Sequence, residues 1–300
     1  MKIGFLTACL RGVPLEDIVR WSGANGFQTL ELTSTTISPG RPAENVLDVE
    51  NLTQAKADAL LSLCADNGIE ISCLTCCENN LAADPAQRER IQAHLRQVID
   101  AAHRLGVREV SAFVGRNHLT SLQENIEEAV PVFRNILSYA ADRDVRIGIE
   151  NWPGFGAQVE GLIGNIFMSP VVWEQMFDAL PVDNFGLNFD PSHLYMMGID
   201  YIQAVKDFSE RIFHVHTKDT EILDDVVARA GMFMPRQRFF RYRIPGMGEV
   251  DWPRFISTLS EHGYDGPLST EHEDPVWSGT EEKVKQGLIL AKKYLSTYVA

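Results

Sequence analysis

Four short stretches in the second half of the chain carry side chains that could do chemistry together. "RIGIEN" ends in Glu150 and Asn151. "FGLNFDPSH" carries Asp190 and, three residues on, His193. "RIFHVHTKD" holds His214 and His216, and "PLSTEHED" holds Glu271, His272, Glu273 and Asp274. Each begins as an apolar run and ends in polar groups. An ionised carboxylate is costly to bury unless it is paired or binds an ion. Two or three carboxylates and an imidazole converging on one point make a divalent-cation site. Oxygen-rich ligation with one imidazole favours Mn2+ or Mg2+, and Co2+ or Zn2+ also fit. The two histidines, one residue apart, could be ligands, an acid–base pair or satisfied core residues.

Whether these groups meet depends on the elements that carry them. Short apolar runs of β type recur along the chain: 2–8, 29–35, 70–76, 109–115, 146–151, 185–190, 212–218 and 267–272. Between them lie amphipathic stretches with apolar residues three and four apart, such as "PAQRERIQAHLRQVIDAAHRLG", which ends in a helix-stopping glycine. Alternating strands and helices imply a parallel sheet with right-handed crossovers. Eight such units predict one closed (β/α)8 TIM barrel, an α/β fold, over 1–300 as a single domain. A doubly wound open sheet is the main alternative, but no GxGxxG follows the first strand. Two connections exceed ordinary loop length, 152–168 after the fifth strand and 219–250 after the seventh. In a barrel both lie on the face that carries active sites.

A barrel also ranks the candidates by depth. Side chains two apart on a strand share a face, and His214 and His216 differ in height by about 6.6 Å. The later residue sits nearer the C-terminal mouth, so His216 is the ligand candidate and His214 a supporting or packing residue beneath it. The same logic prefers Glu150 to Gly148 and Asp190 to Asn188. It does not separate Glu271 from Glu273.

Composition fits a soluble globular protein: 300 residues, 45% hydrophobic and 23% charged, with no apolar run of membrane-spanning length. The opening "MKIGFLTACLRGVPLED" reads as a first strand rather than a secretion signal. A net charge of −14 disfavours a phosphate-backbone partner, which needs a basic groove. Five cysteines, an odd number, suggest a reducing cytoplasmic setting. Cys73, Cys76 and Cys77 lie in a β-type run with no second CxxC, so buried thiols are expected rather than a zinc site.

"GIEN", "FDPSH", "HVHTKD", "PGMGEVDW" and "GYDGPLSTEHE", in this order and on these strands, resemble the xylose isomerase-like barrel superfamily. They are most similar to its sugar (phosphate) isomerase and epimerase group, which includes ketose 3-epimerases, hydroxypyruvate isomerase and inosose dehydratase. The resemblance spans essentially the whole chain. It implies a metal held by Glu150, Asp190, His216 and Glu271, the last chosen over Glu273 by the spacing after "GPL". It also implies substrate contacts from His193 and from an arginine before the PG turn, assigned here to Arg243 over Arg241. The superfamily's DNA repair endonucleases need further histidines after strands three and four, where this chain has "ISCLTCCENN" and "VSAFVGRN".

The function expected from this resemblance is a metal-dependent sugar isomerase or epimerase. Glu150 and Glu271 would move a proton α to a carbonyl through an enediolate stabilised by the metal. The alternatives are a dehydratase or lyase acting on a keto-inositol or keto-glycoside, and a non-catalytic carbohydrate-binding barrel. With no cluster of basic residues and no Gly-rich phosphate cradle, a non-phosphorylated sugar is preferred. Homo-oligomers are common in such families. Glu31 could face the mouth or simply pair, Lys218 is expected to be solvated or salt-bridged, and Trp152 and Trp277 could stack on a sugar or pack under the loops.

Overall fold

The structure, a computed structural model, describes residues 1–35, 46–154, 164–232 and 238–299. Eight parallel strands close into a barrel: β1 (Lys2–Leu6), β2 (Thr29–Thr33), β3 (Glu70–Cys76), β4 (Glu109–Ala112), β5 (Arg146–Glu150), β6 (Phe185–Phe189), β7 (Ile212–His216) and β10 (Pro267–Thr270). The ring closes where β10 pairs with β1, Lys2 opposite Pro267 through Phe5 opposite Thr270. Ile147, Ile149, Leu187, Phe189, Val215 and Leu268 are buried in one apolar core. Their alternates on the same strands, Glu150, Asn188, His214, His216 and Ser269, are buried and polar. Period-two alternation thus sorts each strand into an apolar and a polar face.

The helices begin and end where their sequences dictate. α3 (Pro85–Leu105) has Asp84 as its cap, Pro85 in its first turn and Gly106 in the left-handed conformation at its end. α4 (Leu122–Ala141) opens on a reciprocal capping box between Ser121 and Glu124. Most important for the site is α6 (Pro191–Met196). Asp190 caps it through Oδ1, which accepts from Ser192 N at 2.8 Å, and Pro191 follows at the first helical position.

Both long connections depart from a plain loop. The one after β7 forms an antiparallel hairpin, β8 (Asp219–Ile222) with β9 (Phe240–Arg243), and carries α8 (Asp224–Ala230); residues 233–237 within it lie outside the described residues. So do residues 155–163 of the connection after β5.

Asp219 holds the turn that follows the hairpin. Its Oδ1 accepts from Thr220 N and Val250 N, and its Oδ2 from Gly246 N, Gly248 N and Trp252 Nε1, all at 2.8–3.2 Å. A Cβ on Gly248 would stand 2.4 Å from Asp219 Oδ1, so this close approach requires glycine. The "PGMGEVDW" stretch is thereby explained as the outer half of a staple around one carboxylate.

Candidate functional site

Strand register brings the predicted residues to one level. Asn188 lies opposite His214 and Ser269 opposite His216. Two residues further along, Asp190 comes level with His216, and Glu271 rises just above Ser269. Glu150 lies opposite Asn188 on the other side of β6.

The side chains converge. His216 Nδ1 is 3.2 Å from Glu271 Oε2 and 3.5 Å from Glu150 Oε1. His193 Nε2 is 3.4 Å from Glu150 Oε1 and 3.3 Å from Asp190 Oδ2. Glu150, Asp190, His193 and Glu271 each offer one ligand-type atom, all within 4.8 Å of one another. Asn151 fixes Asp190 by a reciprocal pair, Asn151 Nδ2 donating to Asp190 O at 2.9 Å and Asp190 N donating to Asn151 Oδ1 at 2.8 Å. Glu273 stands at the edge, its side chain 47% exposed, so geometry separates the two glutamates that alternation could not.

A support layer lies beneath. Glu31 faces His216 Nε2 with both oxygens at 3.0 Å, and itself accepts from Ser269 Oγ at 2.6 Å and from Thr75 Oγ1. Asn188 Nδ2, also 3.0 Å from His216 Nε2, donates to Ser111 Oγ at 2.8 Å. The proton on Nε2 therefore serves Glu31, and Nδ1 is left pointing into the cluster. His214 packs one layer down, its Nδ1 3.1 Å from Asn188 Oδ1 and its Nε2 3.2 Å from Ser72 Oγ.

Electrostatics follow from burial and charge. Burial opposes charging His216, but Glu31, Glu271 and Glu150 outweigh it and hold its pKa well above the ordinary imidazole value. His214 goes the other way, pushed down to about 4 chiefly by burial, and His193 to about 3 by burial and then Lys218. Glu31 is drawn down to about 2, His216 and His214 overcoming the effect of burial. Glu271 is likewise held well below its usual range, with Lys218 and His216 opposing burial. The cluster sets its carboxylates against two cationic groups, His216 and Lys218.

Among the buried polar atoms of the described residues that make no hydrogen bond, two belong to this cluster, Asp190 Oδ2 and His216 Nδ1. Such orphans are rare and call for an explanation. The three-carboxylate, one-imidazole set that suits a divalent cation is Glu150, Asp190, Glu271 and His193, whereas His216 groups with Glu31 and His214 and reaches toward Glu150 and Glu271 through Nδ1.

A scan against family models matches residues 19–294 to the xylose isomerase-like TIM barrel. The chain belongs to that family. An uncharacterized protein of Bacillus subtilis (strain 168), YfiH, is 27% identical to this xylose isomerase-like barrel over 91% of the chain and 93% of YfiH. An inosose dehydratase of Clostridium botulinum (strain Eklund 17B / Type B) is 27% identical over 57% of the chain and 54% of its own length. Among solved structures, an IolI protein with a bound zinc atom superposes with a TM-score of 0.73 at 20% identity, covering all of both chains. A D-psicose 3-epimerase determined in the presence of D-fructose gives 0.73 at 14% identity, covering 100% of this chain and 99% of that one. At those identities the two structures speak for the fold.

Arg243 does not join the cluster. Its guanidinium is taken up by Glu221 and by Asp274, to which Nε donates at 2.9 Å. These pairs tie the hairpin to the segment after β10. Trp152 stacks on Phe113, ring centroids 5.0 Å apart.

The barrel of this family member also holds polar groups that the strand patterns did not assign. Lys218 is almost fully buried, with Nζ 2.5 Å from Glu271 Oε2 and 3.3 Å from both Asp190 Oδ2 and Glu273 Oε2. The expected salt bridge is present, but inside the cluster rather than in solvent. Cys73 and Cys76 are buried as expected. Cys77 is half-buried, and its thiol donates to Glu150 Oε2 at 3.4 Å. Tyr242, from the hairpin, places Oη 3.0 Å from His193 Nδ1. The signals were a charged or polar residue within an apolar run, as in "LELT", and the alternating "FRYR"; what each would touch lay far away in sequence.

Proposed function

We propose that this barrel is a divalent-metal-dependent sugar isomerase or epimerase that moves a proton α to a carbonyl. One observation carries the proposal: Glu150 Oε1 and Glu271 Oε2 approach the same imidazole nitrogen, His216 Nδ1, at 3.5 and 3.2 Å. Two carboxylates this close to one point can share the work of removing a proton and returning it.

Glu150, Asp190, His216 and Glu271 would hold the cation, Mn2+ or Mg2+ first, with Co2+ or Zn2+ also suited to the donors. When bound there, such an ion supplies Lewis acidity to a carbonyl oxygen. Glu31 keeps the His216 ring turned toward the cluster, and Cys77 donates to the Glu150 oxygen that faces away from His216. His193, buried beside Glu150 and Asp190, would contact a substrate oxygen. Return of the proton to the other face of the same carbon gives an epimer; return to the neighbouring carbon gives an isomer. A cavity of about 520 Å3 beside Glu271, between Ala8 and Arg11 on one side and Ser278 and Thr280 on the other, has the size range of small-molecule sites. A non-phosphorylated sugar suits a mouth in which acidic groups outnumber basic ones. The activities that the similar proteins are named for, epimerisation and inosose dehydration, belong to the same class of chemistry.

A second reading rests on Lys218. Its ammonium, buried against Glu271 and Asp190, is a proton donor where a β-hydroxyl would leave as water. Loss of the α-proton and of that hydroxyl is dehydration, which this site could perform on a keto-inositol or keto-glycoside.

The test uses the metal-loaded protein with a panel of ketoses and inososes in deuterium oxide. Incorporation of solvent deuterium should fall about 10²–10⁴-fold in both Glu150→Gln and Glu271→Gln. Uptake unaffected by both changes sinks the proposal. A product with a new ultraviolet absorbance identifies the dehydratase; an epimer or isomer has none.

A further inference from the structure

The hairpin after β7 does more than cover the mouth. Phe239 and, from its second strand, Phe240 and Tyr242 pack with Met196 of α6 into a small apolar core separate from that of the barrel. This core brings Tyr242 to the rim of the site, where it is 6% exposed and touches two of its groups. Its Oη lies 3.0 Å from His193 Nδ1, with the two rings edge-to-face at 84°. The Lys218 Nζ sits 4.5 Å above the centre of its ring.

The two nitrogens of His193 meet opposite surroundings. Nε2 faces acceptors only, Glu150 Oε1 at 3.4 Å and Asp190 Oδ2 at 3.3 Å. Nδ1 faces a hydroxyl, which can donate as well as accept. An imidazole with one N–H is best satisfied with that proton on Nε2 and the phenolic proton given to Nδ1. In a metal site the partner of one ring nitrogen decides what the other can do. A protonated Nε2 has no lone pair for a cation, although His193 offers a ring nitrogen within 4.8 Å of an oxygen of each of three carboxylates.

We propose that Tyr242 is a positioning residue that holds His193 in the Nε2–H form. It thereby keeps His193 out of the metal's coordination sphere and reserves it as an N–H donor to an oxygen of the sugar. The inference rests on the proton-transfer site proposed above, and it extends that site to an element outside the barrel.

The experiment is selective 15N-histidine labelling of the full chain, with His193 assigned by His193→Gln and spectra recorded with and without Mg2+. The wild type should show His193 protonated at Nε2 in both conditions. Tyr242→Phe keeps the ring over Lys218 and removes only the hydroxyl, so the melting temperature should stay near that of the wild type. In that variant, once Mg2+ has claimed the Glu150 and Asp190 oxygens that otherwise favour Nε2–H, the Nδ1–H form should appear, and kcat for proton exchange should fall about tenfold or more with a smaller change in KM. A wild-type His193 protonated at Nδ1 overturns the proposal without any variant. So does a Tyr242→Phe protein with unchanged tautomer and unchanged kcat. If the tautomer shifts as expected but neither protein exchanges a sugar proton, Tyr242 keeps its positioning role and the sugar chemistry is what fails.

Discussion

Two polar clusters sit within three residues of each other at the end of β7, and they are built in opposite ways. Around Asp219, five N–H donors fill both oxygens of one carboxylate. Around His216 and Asp190, carboxylates crowd together with the Lys218 ammonium among them, and Nδ1 and Oδ2 make no well-formed hydrogen bond. Both clusters are buried, charged and part of the sequence pattern that marks the family. Only the second leaves something for another molecule to do. Buried polarity by itself does not mark function; buried polarity left unsatisfied among converging carboxylates calls for an explanation.

Acid should act hardest, because it reaches the layer that supports the open cluster. His214 has a folded pKa of about 4, below its ordinary 6.5, so the unfolded chain takes up the proton first as pH falls. Its contribution is complete above about 6.5 and is lost as pH drops from there toward 4, about 3 kcal/mol in all. His193, depressed further, adds in the same direction. Glu31 behaves differently, since its contribution is lost only below its ordinary value of 4.5. Urea titrations across this range should show the fall, and His214→Gln should shrink it.

A cation should distinguish the clusters next. At a hundred times its dissociation constant, Mn2+ should stabilise the folded protein by about 2.7 kcal/mol. Thermal melts of Asp190→Asn should show little of this gain, whereas Asp219→Asn should retain it. That second substitution has a cost of its own. An amide cannot accept from every donor around Asp219, and at least one N–H is left facing an NH2 group. Denaturant unfolding should report a loss of about 2 kcal/mol, with the residual metal response unchanged. Smallest of all is the Lys2–Glu70 pair at the opposite end of the barrel, both side chains more than half exposed. Lys2→Ala should change stability by less than about 1 kcal/mol.

How far the sequence discloses this contrast depends on the reach of each interaction. Strand alternation and depth along a barrel single out His216 over His214 from two letters of spacing. Register carries the same logic to Glu150 and Asp190. Alternation could not choose between Glu271 and Glu273, because both share a face; the choice depends on how the chain turns once β10 has ended. The family resemblance put Arg243 at the substrate, yet Glu221 and Asp274 claim it from two other segments. Glu31 was visible as a charge in an apolar strand, but His216 lies 185 residues away. Tyr242 sits in the hairpin inserted after β7, whose pairing follows from tertiary packing around Met196 rather than from any local pattern. Periodicity reveals which way a side chain points; it does not reveal what stands opposite.

The bond between Glu31 and His216 also has a kinetic meaning. Glu31 rides on the second strand of the ring and His216 on the seventh, and Ser269 of the closing strand completes the grip, 238 residues from Glu31. Contacts of such separation are slow to form, because the entropy of a long loop must be lost before they stabilise anything. The His216 ring is therefore oriented only when the last strand has docked against the first. Any intermediate that lacks β10 would hold Glu150, Asp190 and His216 without their final geometry. The rise of tight metal binding during refolding would then time the closure of the ring, separately from the earlier appearance of helix and strand.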